Sequence, residues 1–351
     1  MEGFHVNSGS FAELERYRVQ DVTKRPTLAD VAARAGVSVA LVSIAMRGAK
    51  GVSAATSEQI FRAAQEIGYR PDTRARLLRS RRSRLLGVQF GLPHPFHADL
   101  VESLYAVAEP AGYQLALSAV AASRSEQRAT DALLDDRCEA LILLGPQAPA
   151  ARLEKLAAQL PVICVARRLP PSASGVDVVR TADDDGARQA VDHLVSIGHR
   201  DIVHIDGGRA PGAADRRRGY RAAMHRHGLP GQVVPGGLTE EDGAAAARGL
   251  LTAQPRPTAV LAFNDQCAAG VLDVFLRAGV GVPGQVSVIG FDDSRLARLT
   301  HINLTTVGQD IPRLADLAVV RALARLEGQD APGTETVVAP RLVVRGTTAA
   351  L

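Results

Sequence analysis

Pro26-Thr-Leu-Ala-Asp-Val-Ala-Ala-Arg-Ala-Gly36-Val-Ser38 is the stretch of this 351-residue chain that decides how the rest is read. Thr27 with Asp30 three residues later has the pattern of a capping box, and Pro26 blocks any earlier start. Leu28, Val31, Ala32 and Ala35 recur at helical spacing, and Gly36 supplies the tight turn that stops the helix. Ser38 then caps a second helix, predicted from Val39 to Arg47 with Gly48 at its end. At about 100° per residue, Leu41, Val42, Ala45 and Met46 fall on one side of it, and Val39, Ala40, Ser43, Ile44 and Arg47 on the other. The first set packs on neighbours. The second leaves Val and Ile exposed beside Arg, which needs a partner surface, and a DNA major groove would be one. A third helix is predicted from Ser57 to Gly68, with Ile60, Ala63, Ala64 and Ile67 closing a three-helix core. Helix count alone leaves a small bundle with a solvated basic face equally open.

Charge separates the alternatives. The chain carries +4 overall, but Lys24 to Arg84 holds 13 Lys/Arg against 4 Asp/Glu, while Leu85 to Leu351 holds 26 against 29. A compact basic module on a near-neutral body is the footprint of a protein whose one end meets phosphates. Six arginines stand between Arg74 and Arg84 in a helix-compatible stretch; taken alone it is a disordered basic linker, since like charges repel and short helices are marginal in water.

The remaining composition bounds the class. At this length two or three folding units are expected, and no apolar run approaches the roughly 18 residues of a membrane helix. Met1 to Thr23 carries Glu2, Glu13, Glu15 and Asp21 without an apolar core, so residues 1–24 read as a flexible leader and not a secretory signal. Cys138, Cys164 and Cys267 stand apart, without zinc spacing, which suits buried filler in a reducing cytoplasm.

From Leu85 onward, apolar runs alternate with helical stretches. Leu85 to Phe90, Gln114 to Val120, Ala140 to Leu144 and Val162 to Val165 read as buried strands of one lobe; Ile202 to Ile205, Ala259 to Phe263 and Val286 to Phe291 as strands of a second. Helical stretches such as 186–198 and 266–279 lie between them. Such alternation means parallel sheets with right-handed crossovers.

The headpiece string above, followed by Val42-Ser43, Val52-Ser53 and Ile67-Gly68-Tyr69-Arg70-Pro71, resembles the DNA-binding headpiece of the LacI/GalR family of repressors. The body resembles the family's periplasmic-binding-protein-like core in His193-Leu-Val-Ser-Ile-Gly-His199, Arg216-Arg-Arg-Gly-Tyr220, Ala262-Phe-Asn-Asp265, Val288-Ile-Gly-Phe-Asp-Asp293 and Leu304-Thr-Thr-Val-Gly-Gln309. The resemblance implies a small all-α helix-turn-helix domain (25–71), a hinge helix (72–84) and an α/β body (85–351) of two Rossmann-like parallel-sheet lobes. It places Val39, Ala40 and Ile44 against bases and Thr27, Ser38, Ser43, Arg47, Ser53 and Thr56 against phosphates. It also makes Leu78, with Ala75 beside it, a wedge in the minor groove. Many members carry Thr at Leu41 and Arg at Ile44, so a guanine-reading arginine is missing from its usual place.

By the same resemblance Arg216, Asn264, Asp292 and Gln309 hold a small-molecule effector, with His94 and Phe96 on the opposite wall of a cleft between the lobes. A carboxylate, an amide and a guanidinium there suit a sugar-like ligand. The family's Asp after the fourth strand is replaced by Ala166 followed by Arg167; an extra arginine in the cleft would favour an anionic ligand. Plainer roles compete: Asn264, Asp265 and Asp293 fit helix caps, and Arg216 fits a solvated run with Arg217 and Arg218.

Other patterns fail on context. Gly279-Val-Gly-Val-Pro-Gly284 follows a helix and precedes a strand, the reverse of a dinucleotide loop. Asp183-Asp-Asp185 suits a helix N-terminus better than a metal, and His94 with His97 lacks a third ligand. Without a GxSxG, HExxH or P-loop motif, no catalytic set and no cofactor is expected. The expected molecule is a cytoplasmic, non-enzymatic, homodimeric repressor of operator DNA under sugar control, with no heptad at its end to make a tetramer. A transport solute-binding protein would need an export signal in place of Lys24 to Arg84. A sugar-modifying α/β enzyme would need a nucleophile or acid/base pair in the cleft.

Overall fold

The computed structural model describes residues 26–46, 51–69, 82–328 and 334–351. The expected leader, Arg47, Ala75 and Leu78 lie outside the described residues, as does most of the expected hinge. The chain divides into two compact units, Met1–Arg81 and Arg82–Leu351.

In the first unit, α1 (Leu28–Ala35), α2 (Val39–Met46) and α3 (Ala54–Glu66) enclose a core of Val31, Ala32, Ala35, Val42, Ala45, Ile60, Ala63 and Ala64. The capping box forms: the Asp30 N–H donates to Thr27 Oγ1 at 3.4 Å and the Thr27 N–H to Asp30 Oδ2 at 2.7 Å. Gly36 adopts φ 65°, where a side chain would be strained, and the bend between α1 and α2 is 105°. The third helix starts earlier than its apolar stripe suggests, because Ser53 caps it by accepting the Thr56 N–H at 3.2 Å. The Gln59 amide then donates to the Ala35 carbonyl at 2.8 Å, tying α3 to the end of α1.

The second unit holds two six-stranded sheets. The first runs in the order β11-β5-β4-β3-β1-β2, from β1 (Leu85–Gly91), β2 (Gln114–Val120), β3 (Ala140–Leu144), β4 (Val162–Val165), β5 (Val176–Thr181) and β11 (Glu335–Val338). The second runs β12-β10-β9-β8-β6-β7, from β6 (Ile202–Asp206), β7 (Gln232–Pro235), β8 (Ala259–Leu261), β9 (Ser287–Asp292), β10 (Thr305–Gly308) and β12 (Arg341–Val343). Pairing is parallel throughout, as alternation of strand and helix requires, except that β12 adds to β10 antiparallel. Apolar clusters cover both faces of each sheet. Cys138, Cys164 and Cys267 are buried free thiols within them. Among the described residues no single helix is long and apolar enough to cross a membrane.

The lobes are not consecutive blocks of sequence. The chain leaves the first sheet after β5 for α7 (Asp183–Ser196) of the second lobe, and after β10 it returns through α11 (Ile311–Leu326). Leu314, Ala315, Ala318, Val319 and Ala322 of α11 join the core of the first lobe. A third crossing separates β11 from β12. Crossings one and two meet where the Thr181 hydroxyl donates to Gln309 Oε1 at 2.6 Å; the first and third meet where the Ala182 N–H donates to the Val338 carbonyl at 2.9 Å.

The return to the first lobe is anchored by Asp177 on β5, which is 1 % exposed. One oxygen accepts from Arg325 Nε of α11 at 2.7 Å and the other from the Thr334 N–H and hydroxyl at 3.0 Å each. Removing one partner of a buried ion pair leaves the other charge uncompensated. Asp177→Ala is therefore expected to lower the unfolding free energy of the body by about 3–5 kcal/mol in denaturant titration. A loss under about 1 kcal/mol would mean that Arg325 and Thr334 find water instead.

Candidate functional site

All six effector candidates line one cleft between the two lobes of the second unit, with about 490 Å³ of open space continuous with solvent. His94 caps α4 (Pro95–Ala108) at the end of β1, and Phe96 follows on its first turn. Arg216 stands on α8 (Ala213–Arg226), Asn264 at the start of α10 (Asp265–Arg277), Asp292 at the end of β9 and Gln309 on a crossing between lobes. His97, Ala166, Asp183, Pro211, Leu238 and Phe263 complete the wall.

Arg216 is the centre of this arrangement. It is not part of a solvated run: it is buried, while Arg217 pairs with Asp206 and Arg218 with Asp184 and Asp215. Its Nε donates to Asp183 Oδ1 at 2.8 Å, Nη1 to the Phe263 carbonyl at 2.6 Å and Nη2 to Asp292 Oδ1 at 3.5 Å. The guanidinium lies over the Phe291 ring at 3.5 Å from its centroid and over Phe263 at 4.7 Å. Asp292 Oδ1 also accepts from Gln309 Nε2 at 2.7 Å; its other oxygen makes no hydrogen bond among the described residues. Asp292 sits at φ 116° and Asp293 at φ 53°, left-handed conformations costing side chains about 1–3 kcal/mol each and concentrated at ligand sites.

Burial pushes the Asp183 carboxyl up from its ordinary range against the pull of Arg216. Burial also pushes Asp292 up, to about 6. Asp265, fully enclosed beneath them, is pushed up to about 7 by burial and then by the charge of Asp292. Asp183 and Asp292 thus share one guanidinium, while Asp265 is held by Thr306 and Ser294. The imidazoles opposite are neutral: burial lowers His94, and lowers His97 to about 3. His97 Nδ1 accepts the Gly91 N–H at 3.0 Å, which places the neutral ring's proton on Nε2.

Several readings change. Asp183, expected only to complement a helix N-terminus, is a wall of the cleft and the principal partner of Arg216. Asn264 combines both expectations: it lines the cleft, yet Oδ1 caps α10 by accepting the Cys267 N–H at 2.8 Å and Nδ2 donates to the Leu238 carbonyl at 3.1 Å. Arg167 does not enter the cleft wall; its Nη1 donates to the Pro146 and Ala148 carbonyls at 2.6 and 2.7 Å. Ala166 is there instead, at φ 60°. The ground for an anionic ligand is thereby removed. His97, noted only as half of a failed metal pair, is also in the wall, and among the described residues no cluster of His, Cys, Asp and Glu could hold a metal ion.

In the first unit Val39 is 47 % exposed and Ala40 is exposed beside it, whereas Ser43 and Ile44 are half-buried. Val42 and Ala45 face the core. The candidates Ser38, Ser53 and Thr27 all use their side-chain oxygens as caps, with Ser38 Oγ accepting the Leu41 N–H at 3.2 Å. Thr56 meets Ser53 through a 2.8 Å hydroxyl contact. These hydroxyls hold the helix ends that would face phosphates.

Residues 27–72 match the family model of bacterial regulatory proteins, lacI family, and residues 191–348 that of a periplasmic binding protein-like domain. The HTH-type transcriptional regulator GalR of Salmonella typhimurium is 34 % identical over 327 residues, 91 % of this chain and 95 % of GalR. A LacI transcriptional regulator from a Rhodococcus species superposes with a TM-score of 0.72 at 51 % identity, covering 76 % of this chain and 98 % of that one. A CelR–cellobiose complex gives 0.69 at 29 % identity (92 % and 100 % covered), and the lac repressor dimer bound to operator and the anti-inducer ONPF gives 0.78 at 29 % (93 % and 100 %).

The carboxyl cluster has a measurable signature. Asp265 keeps its proton in the folded state up to about pH 7, whereas an unfolded Asp loses it near pH 4. The folded state therefore binds more protons in that window, and the group's contribution to stability falls as pH rises through it. Asp265→Asn should gain stability over the parent between pH 5 and pH 7 by about 1–3 kcal/mol. A difference that stays flat in paired thermal melts would show that Asp265 is ionised throughout.

Proposed function

Because this chain belongs to the lacI family of bacterial regulatory proteins, we propose that it is a cytoplasmic transcription repressor whose grip on operator DNA is set by a neutral sugar bound between the lobes of its body. The convergence of His94, Phe96, Arg216, Asn264, Asp292 and Gln309 from five separate places in the sequence onto one cleft carries this reading. A wall of carboxyl oxygens with neutral imidazoles opposite suits ligand hydroxyls, and the Arg216 guanidinium is already paired with Asp183 and Asp292. Asp292 supplies the unpaired oxygen for a ligand hydroxyl. Arg216, stacked between two rings, holds that carboxylate in place more than it reaches the ligand itself.

The domains divide the work as 25–71 for DNA, 72–84 for the hinge and 85–351 for effector and dimer contacts. In this reading Val39, Ala40 and Ile44 meet base edges in the major groove, where apolar side chains distinguish thymine methyls by contact. Thr27, Ser38, Ser43, Arg47, Ser53 and Thr56 position the backbone, and Leu78 with Ala75 opens the minor groove at the dyad of a homodimer. The lac repressor, which this chain resembles at 29 % identity, is a dimer bound to operator. GalR, similar over 91 % of this chain, is a transcriptional regulator, and the cleft offers carboxyls tied to a guanidinium in place of a nucleophile. The sugar acts by its difference in affinity for two arrangements of the lobes, typically about 1–3 kcal/mol of coupling.

Asp292→Ala should leave operator affinity near that of the parent, measured by fluorescence anisotropy on a genomically selected site. The response to the sugar should weaken about thirtyfold or more, because the ligand hydroxyl loses the buried carboxylate that accepts its hydrogen bond. An unchanged sugar titration would move the effector site elsewhere. Removing residues before Leu85 should abolish DNA binding, and a truncated body that still binds operator would sink the DNA assignment.

A further inference from the structure

The two lobes repeat one pattern, and each brings an acid to face a base of the other. Strand order is β5-β4-β3-β1-β2 in the first and β10-β9-β8-β6-β7 in the second. In each lobe the helix after the first strand carries an aspartate, Asp99 on α4 and Asp215 on α8, and the loop after the fourth strand carries an arginine, Arg168 and Arg295. At one rim of the cleft the contact is made: Arg168 Nε lies 3.6 Å from Asp215 Oδ2. Near it Gly145 of the first lobe, at φ 53°, stands so close to Pro211 of the second that a Cβ there would come within 3.2 Å of the proline ring. At the other rim Asp99 forms no ion pair among the described residues. Burial holds its carboxyl above the ordinary range against the pull of Arg295, while Arg298 pairs with Asp293 of its own lobe.

The balance of charge makes the closed contact more than a surface ion pair. Asp215 is only 6 % exposed. Its other oxygen takes Arg218 Nη2 at 2.6 Å, the same nitrogen that reaches Asp184 Oδ2 at 3.0 Å. Burial pushes the Asp184 carboxyl up, yet Arg218, helped by Arg168, holds it below its ordinary range. The second lobe thus sets two carboxylates against one guanidinium, and Arg168 of the first lobe restores the balance. Parting the lobes there leaves the buried Asp215 to share Arg218 with Asp184. The loop that delivers Arg168 is itself braced: the Ala166 N–H donates to the Val179 carbonyl at 2.9 Å, and Arg167 is fixed on the Pro146 and Ala148 carbonyls. We propose that Arg168 and Asp215 form an inter-lobe latch, which holds one rim of the cleft together so that the lobes part at the other, where Asp99 and Arg295 stand unjoined. Neither latch residue lines the cleft, so the device acts on lobe geometry whatever the effector is.

The test is double electron–electron resonance on the full-length protein, with nitroxides attached through Lys155→Cys in the first lobe and Arg221→Cys in the second, both exposed positions. The native cysteines are buried, and an excess of unlabelled protein confines the reading to distances within one chain. Arg168→Gln should raise the longer-distance population about fivefold or more, the factor that a well-formed, partly exposed ion pair supplies. The Arg168 side chain is 44 % exposed, so its replacement spares the core. Arg168→Lys, which keeps the charge, should give the parent distribution, and so should Arg295→Gln, whose pair is not made. Raising KCl from about 0.05 to about 0.5 M should move the parent towards Arg168→Gln and leave that variant nearly where it stands. A parent-like distribution in Arg168→Gln, or an equal widening by Arg295→Gln, would overturn the latch.

Discussion

One guanidinium holds more buried negative charge than it carries. Arg216 faces Asp183 and Asp292 directly, with Asp265 fully enclosed behind them, and the surplus is accommodated by keeping protons on carboxyls and by stacking the cation between Phe263 and Phe291. This constraint fixes much around it. Asp183 begins the helix that enters the second lobe, Asp292 ends β9, and the Phe263 carbonyl that receives Nη1 precedes the cap of α10. The wall of the cleft is therefore a single electrostatic unit and not a set of independent ligand contacts.

The same unit reaches the connections between lobes. Gln309, on the second crossing, donates to Asp292 and receives a hydrogen bond from Thr181 at the first. A ligand hydroxyl that competes for the Asp292 carboxylate acts on residues that join the lobes, so binding and lobe geometry are linked by contact. A ligand held only by one lobe would lack this leverage.

Legibility from sequence followed the strength of periodic signals. The headpiece was readable because Leu28, Val31, Ala32 and Ala35 repeat at helical spacing between a capping box and a left-handed glycine, each a local effect. The central strands were readable as apolar runs. β5 was not, since Asp177 and Arg180 interrupt it; they are buried because partners far along the chain, Arg325 and Glu335, neutralise them. The edge strands β7, β11 and β12 are three or four residues long and partly exposed, too short for a pattern. In the site, Arg216, Asp292 and Gln309 were legible through family likeness, but Asp183 read as a helix-end charge, because its pairing across 33 residues is tertiary.

The strand order also sets a timetable for synthesis. Each sheet takes an edge strand from the last stretch of the chain, so the first lobe waits for Val338 at the end of β11 and the second for Val343 at the end of β12. The three-helix headpiece needs nothing beyond Tyr69 for its core. At about 5–20 residues per second, the DNA-directed helices emerge on the order of tens of seconds before the body that governs them. During that interval a nascent chain already carries a folded reading head while its effector cleft is still unbuilt. Premature termination upstream of α11 would leave the two lobes unfinished and expose the apolar faces that α11 and the edge strands cover, which favours clearance of the fragment over the persistence of an unregulated one.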